Sequence, residues 1–491
     1  MTTTSPPRAD APPSQQPRRR PWHLEHLPFL VVLTAGALLR VLVQVAFAPA
    51  FIHSDGPRYL AVIADVVPAT DRPVGYTLLL LRPLSALTSD VVLVAVVQHA
   101  LGLATAVVLY LLLRRWGVGR WLGALATVPV LLDAMQLNLE HTVLSDTLFQ
   151  LMLVSWIALL CWRRRPSPGL ALAAGLLLGA SVTVRLVGEQ LVLVAVLGCA
   201  LLAGPGWRRR VVTVAVLVVG FVVPAGAYAT WYHQERGVFA LSEYTGRALY
   251  LRSTSFVDCG RLSIPAYQRV LCPVEPLGQR RDPTYYVFHD KRTLPRLQPP
   301  SGTTQDEALR EFAFTAARAQ PLDYAGIVAR DLWLNFGTPR EDSHEYDTAH
   351  KWQFDEYLTV APTAWTRPAY DAHGGRQLQV RQPYADAVVA YGHVGQLPGG
   401  LLLGCLLLGV LGGLGVGRAR RSGLRTVTWV LVLSGVGLLL APAVTAQFVW
   451  RYQLPALALL PAAAALAITA LRGVGPGGRT PPPAPTDRTA E

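Results

Sequence analysis

Lysine is nearly missing from this chain: of 44 basic residues only Lys291 and Lys351 are lysine, and the rest are arginine. Charge of either sign is scarce, at 15% of 491 residues, while 52% are hydrophobic. Soluble domains carry about 25% charged residues. The shortfall excludes an ordinary soluble domain and indicates an integral membrane protein. Cysteine is sparse as well. Of the five, Cys161, Cys199 and Cys405 fall in apolar runs and read as plain core or lipid-facing residues. Cys259 and Cys272 lie in the one large polar region. They can pair if that region faces an oxidising compartment, which spacing alone does not decide. No internal repeat of the kind that builds two-halved transporters is visible. His289, His344 and His373 match no zinc spacing. The net charge of +13 does not indicate nucleic-acid binding, because the arginines sit in short runs at the ends of apolar segments, as the positive-inside rule places them.

Ten apolar runs read as membrane spans: about 28–49, 91–113, 121–139, 144–162, 168–185, 188–204, 211–230, 396–416, 426–446 and 453–472. The basic clusters fall on one side of this series: Arg18–Arg20, Arg114 with Arg115, Arg163–Arg165, Arg208–Arg210, and Arg418, Arg420, Arg421 and Arg425. They make that side cytosolic and place 50–90 and 231–395 outside. Val74–Leu87 is apolar but short, and Arg82 and Pro83 break it. It reads as a juxtamembrane or re-entrant helix, since counting it as a span would put every later cluster outside. The expected fold is an all-α integral membrane bundle of about ten spans with a mixed extracytoplasmic region. Its parts are a disordered cytosolic tail at 1–27, a membrane bundle at 28–230 holding the first outer loop (50–90), the extracytoplasmic region 231–395, C-terminal spans at 396–472, and a second disordered cytosolic tail at 473–491. In the outer region Thr304–Gln320 reads as a helix, with Thr304 and Glu307 at capping-box spacing. Leu322–Phe336, with Trp333, is amphipathic. It is either an interfacial helix or one packed in the outer domain.

The stretch from His53 to Tyr76 is polar where a membrane chain is usually economical with charge. It sets Asp55 near Arg58 and Asp71 beside Arg72, with Asp65 between them, the last reading as a solvent-facing acid. Ionisable groups at a membrane edge are costly and therefore functional candidates; Arg82, Asp133, Glu140, His141, Glu189 and Arg451 join the set. A glycosyl donor carried on a lipid phosphate needs cations for the phosphate, and arginine offers a bidentate fork. It also needs a carboxylate to take the acceptor's proton and an apolar groove for the lipid. Asp55 as general base, with Arg58, Arg72 and Arg451 on the donor phosphate, meets these needs. Asp71 can orient the acceptor or join Asp55 in holding a divalent metal (Mg, Mn or Ca). Structural roles compete: Asp71 as a cap for the 74–87 helix, Arg58 and Arg72 as snorkelling residues, Asp146 as a helix cap, Arg185 with Glu189 as a salt bridge, and His99 and His141 as satisfied membrane-edge histidines. A transporter or flippase of lipid-linked sugars is the alternative function, and a non-catalytic assembly partner is a third.

The residues fall in an order. Asp55, Arg58 and Tyr59 form a D-x-x-R-Y pattern, followed by Asp71, Arg72, Pro73, Gly75 and Tyr76. Then come His99, Ser145 and Asp146 in LSDTLF, Arg185, and RYQLPALALLP from Arg451. This set resembles the GT-C glycosyltransferases that use polyprenyl-phosphate sugars, among them the lipid A aminoarabinose transferase and the protein O-mannosyltransferases. The resemblance covers about 30–230 and 396–472. It implies Asp55 as the catalytic acid of the first loop, Asp71 and Arg72 as the pair beside it, and Arg451 near the lipid phosphate. It implies Tyr59, Tyr76, His99, Asp146 and Arg185 around the substrates. The expected partners are a polyprenyl-phosphate sugar, membrane lipids, and a lipid, glycan or protein acceptor, at the outer face of the plasma membrane. The Ala-, Val-, Arg- and Gly-rich composition resembles a GC-rich, actinobacterial genome, which makes mannose or arabinose the expected sugar.

Overall fold

The computed structural model describes residues 22–337, 340, 342–346, 348–354, 367–373 and 378–474. The N-terminal half comprises α1 (Trp22–Ala46), α2 (Gly56–Ala61), α3 (Arg82–Ser85), α4 (Val92–Arg115), α5 (Arg120–Leu132), α6 (Ala134–His141), α7 (Asp146–Cys161), α8 (Pro168–Val184), α9 (Leu191–Leu202) and α10 (Trp207–Arg236). The polar region adds α11 (Thr245–Ser253), α12 (Pro283–Phe288), α13 (Gln305–Ala319), α14 (Pro321–Leu334), α15 (Arg367–Ala372) and α16 (Tyr384–Val394). The chain returns through α17 (Gly399–Leu414), α18 (Arg425–Thr445) and α19 (Leu454–Leu471). The sheet among the described residues is a two-residue antiparallel pair, β1 (Phe47–Ala48) with β2 (Gln379–Val380).

Each of the ten apolar runs folds as helix. Among the described residues, five helices can cross a bilayer by length and composition, and up to seven if each bent pair counts as one span. The chain is a multi-pass membrane protein. Three apolar stretches are shorter than a full span: Asp146–Cys161, Pro168–Val184 and Leu186–Leu202. The third run is broken. Pro129 lies near the end of α5, and the Asp133 carboxylate accepts from the backbone N–H of Met135 and Gln136, starting α6 at 49° to α5. Asp133 is thus a helix cap. The first helix begins at Trp22, so residues 22–27 are not part of a disordered tail; Glu25 pairs with Arg114 at 2.7 Å and His26 meets Tyr110. Residues 1–21 and 475–491 lie outside the described residues.

Close helix approach builds the scaffold where lipid offers no hydrophobic drive, so small residues mark the contacts. A Cβ at Gly175 or Gly179 of α8 would stand 2.1 and 2.2 Å from the Leu217 and Phe221 carbonyls of α10. The loop between α1 and α2 is held at several points. Phe51 N–H donates to the His141 carbonyl at 3.0 Å, Val143 N–H donates to the Phe51 carbonyl at 2.9 Å, and Phe47 and Phe51 pack with Leu137, Phe354, Ala385 and Val388.

The 74–87 stretch is helical over 75–85, with a π-helical turn at Thr77–Leu81. Asp71 does not cap it. In the polar region the Thr304–Glu307 capping box forms in full, and Cys259 and Cys272 are disulfide-bonded with Cα atoms 6.1 Å apart. Arg252 of α11 and Asp331 of α14, both buried, pair at 2.5 Å. Asp331 also accepts from Phe448 N–H, and Arg252 donates to the Ala443 carbonyl. This knot ties α11 and α14 to the end of α18, and no sequence pattern announced it.

Candidate active site

Four arginines and three aspartates alternate in one row. Arg58 pairs with Asp71. Arg72 reaches Asp71 at 3.2 Å and Asp55 Oδ1 at 2.7 Å. Arg451 holds Asp55 Oδ2 at 2.7 Å and lies 3.6 Å from Asp146 Oδ2, which Arg185 meets at 2.5 Å. Seven residues spread over 396 positions are thereby brought together.

Local structure explains each placement. Asp55 directly precedes α2, whose first turn holds Pro57, and Pro fits the start of a helix. Asp146 opens α7 directly after its cap residue Ser145. Arg185 follows α8 in extended conformation, which turns its side chain to Asp146 instead of Glu189. Arg451 lies in the 3₁₀ turn Trp450–Gln453 that starts the last helix.

Aromatic faces line the row. Arg72 stands over Tyr59, and Arg185 and Arg451 both stand over Tyr452. Such contacts favour a cation where water is scarce. Tyr59 shares a hydrogen bond with Ser145 Oγ at 3.1 Å and meets Tyr76 edge-on, and Tyr76 donates to Gln98 Oε1 at 2.6 Å. Trp352 was not foreseen. It is buried, with Arg451 on its ring at 5.2 Å, Lys351 at 5.2 Å and the His53 ring at 5.5 Å. A lone Trp in a polar stretch gives no signal of its own.

Burial alone would raise the Asp55 carboxyl. The Arg451 and Arg72 guanidiniums outweigh it and hold that group well below the usual carboxylate range. Burial, then Lys351 and Arg451, lower His53 to about 3, so it stays neutral. Arg451 is 8% exposed, yet its Nε and Nη1 are buried without a hydrogen-bond partner among the described residues. Buried donors of this kind are rare.

His99 stands apart from the row. Its Nδ1 meets Glu140 at 2.9 Å and its Nε2 faces His141 Nδ1 at 3.3 Å. Asp65 is exposed in a bend.

A divalent cation shared by Asp55 and Asp71 does not fit this donor set. Guanidiniums take both oxygens of Asp55 and one of Asp71, and Arg72 stands between the two carboxylates. Beside Asp71 lies a cavity of about 190 Å³, lined by Thr70, Glu243, Tyr244, Arg247 and Asp306 among others.

No family model matches the chain, and a comparison with curated proteins finds no relative. Solved structures similar to it include the following three. The yeast (S. cerevisiae) protein O-mannosyltransferase Pmt1-Pmt2 complex bound to the sugar donor is 15% identical over 52% of this chain and 38% of that one, with a TM-score of 0.35. The oligosaccharyltransferase AglB from Archaeoglobus fulgidus, with an inhibitory peptide and a dolichol-phosphate, is 13% identical over 91% and 51%, at 0.41. ArnT from Cupriavidus metallidurans bound to undecaprenyl phosphate is 15% identical over 89% and 77%, at 0.37. The chain thus spans 38% and 51% of the first two. All three are GT-C glycosyltransferases, the superfamily that the ordered residues resemble. With TM-scores below 0.5, the functional reading rests on the site.

Proposed function

We propose that the chain is an inverting glycosyltransferase that takes a sugar from a polyprenyl phosphate and passes it to a hydroxyl acceptor at the extracytoplasmic face. The observation that carries this reading is Arg451: a buried guanidinium ion-paired with Asp55 and Asp146, whose Nε and Nη1 make no hydrogen bond among the described residues. A phosphodiester oxygen satisfies such donors, and arginine suits it better than lysine does. The donor phosphate replaces Asp55 on Arg451 and Arg72. Arg58 and Arg185 keep Asp71 and Asp146 neutralised at the ends of the row.

Chemistry follows from that exchange. A carboxylate clasped by two guanidiniums is a poor base. Once the phosphate draws the guanidiniums away, Asp55 regains basicity where the acceptor hydroxyl must lose its proton. The acceptor oxygen bonds to the anomeric carbon, the bond from that carbon to the phosphate oxygen breaks, and the proton goes to Asp55. Polyprenyl phosphate leaves on the arginines. The cavity beside Asp71 is the acceptor's entry, with its hydroxyl- and carboxylate-bearing wall suited to an uncharged polyhydroxyl compound. The Cys259–Cys272 bond agrees with an oxidising outer compartment, and mannose or arabinose is the sugar we would test first.

The test is incubation of purified protein with a panel of polyprenyl-phosphate sugars and acceptor lipids, glycans and peptides, read by product mass. Transfer that Asp55→Asn abolishes supports the reading. Movement of lipid-linked sugar across vesicles without any glycosyl product overturns it.

A further inference from the structure

A second set of buried charges lies outside the row. Glu140 of α6 is fully buried, and Arg40 of α1 grips both its oxygens, at 2.6 and 2.8 Å. His99 of α4 meets Oε2 at 2.9 Å and Gln136 donates to Oε1 at 2.9 Å. The remaining Arg40 hydrogens go to the carbonyls of Leu131, Val130 and Gly36. Burying so much charge is costly even when it is paired, and in a membrane bundle it calls for a purpose.

The outward connections supply one. From His99 the contacts run to His141, whose Nε2 donates to the Phe47 carbonyl at 2.7 Å, where the first outer loop begins. From Gln136 they run to Gln150, one turn after Asp146 on α7, and Gln150 donates to the Leu454 carbonyl, three residues after Arg451. Beside His99, Gln98 donates to the carbonyls of Glu140 and Thr142 and accepts from Tyr76. One carboxylate therefore has a polar line to each of the three walls that carry Asp55, Asp146 and Arg451.

The geometry points to Glu140, with His99 and Arg40, as a positioning hub that sets the register of those three walls. None of its members touches the row, so they are positioning residues and not catalytic ones. Gly102 of α4 is packed on this carboxylate: a Cβ there would stand 1.8 Å from Oε1.

The inference rests on the proposed roles of Asp55, Asp146 and Arg451, so its test has a readout besides transfer. Amide hydrogen exchange is followed in the purified full chain carrying His99→Ala, His99→Asn or Gly102→Ala. Loss of a hydrogen bond to a charged group should speed exchange over 47–60 by about tenfold or more while α8 and α10 stay protected. Turnover should fall by a similar factor, with donor KM changed less. His99→Asn, which keeps a donor toward Glu140, should recover part of both. Gly102→Ala reaches the same end from the opposite side if the His99 variants fail to fold. Unchanged exchange over 47–60, or a rise spread evenly through the bundle, overturns the hub. Faster loop exchange in a protein whose wild type transfers no sugar leaves the hub standing and removes the transferase reading.

Discussion

Asp55→Asn separates two consequences that a simpler site would merge. The substitution keeps the side chain's size but removes its charge. In the free protein two guanidinium nitrogens stand 2.7 Å from the two oxygens of Asp55. A unit pair at about 4 Å is worth about 4 kcal/mol at an effective dielectric near 20. That attraction is what the donor phosphate must replace. The neutral variant should therefore hold the donor as tightly as wild type or more so, because Arg451 and Arg72 stand free for the phosphate. Turnover should fall by about 10²–10⁴-fold, the usual worth of a positioned base. Equilibrium binding of a radiolabelled polyprenyl-phosphate sugar to detergent-purified protein, beside single-turnover rates, measures both. Near-normal turnover would refute Asp55 as the base. Normal turnover loss with a donor affinity weakened tenfold or more, about 1.4 kcal/mol, would refute the exchange of Asp55 for phosphate.

The remaining predictions use the same assays or simple stability measurements. Because the Asp55 carboxyl is held low in the free protein, the acid limb of kcat/KM should lie at lower pH than that of kcat, where phosphate shares the arginines; coincident limbs would count against the exchange. By the same sign, Asp55 contributes stability above the unfolded carboxylate range and loses it as pH falls through the lower folded value, so Asp55→Asn should flatten the acid side of the stability curve. Arg451→Lys keeps the charge but cannot hold Asp55 while facing Asp146, and donor affinity should drop by about ten- to a hundredfold, the worth of a charge-assisted hydrogen bond. Asp331→Ala strands the buried Arg252 and should cost about 3–5 kcal/mol, while pairing it with Arg252→Met should restore much of that, as thermal unfolding would show. Transfer should survive a chelator, since Arg58 keeps Asp71 neutralised even when the phosphate frees Asp55, and one carboxylate alone makes a poor cation site.

Much of the row was legible because its members break membrane composition. Asp55, Arg58, Asp71, Arg72, Asp146, Arg185 and Arg451 are charges at the ends of apolar runs, and cost alone singles them out. Their pairing was less legible. Arg185 and Glu189 share the spacing of a helical ion pair, but the helix ends at Val184, so the spacing does not apply. Asp71 before Arg72-Pro73 has the form of a helix cap, yet its carboxylate goes to arginines. His99 looked like a substrate contact because sequence shows depth poorly; the fold gives it to Glu140. The Arg252–Asp331 knot and Trp352 come from long-range packing between polar segments, which no periodicity records. The ten runs emerged as helices, but the break at Asp133 shows how one capping carboxylate divides an apolar run that hydropathy reads as continuous.

None of the seven charged members of the row comes from residues 237–335. That stretch, with its disulfide and capped helices, is attached at a limited set of points, among them the Arg252–Asp331 knot, Tyr324 on the Val444 carbonyl, Gln453 on the Asn335 carbonyl, Tyr232 on Glu243, and the Glu243 N–H on the Thr70 carbonyl beside the loop. Inheritance can therefore treat the two halves separately. A lineage that exchanged or redrew the outer stretch while keeping those ties would change what approaches Asp71 and leave every charge of the row where it stands. Divergence among descendants of such a chain should concentrate in the cassette, and a graft of that cassette between two of them should carry over the choice of acceptor but not the choice of donor.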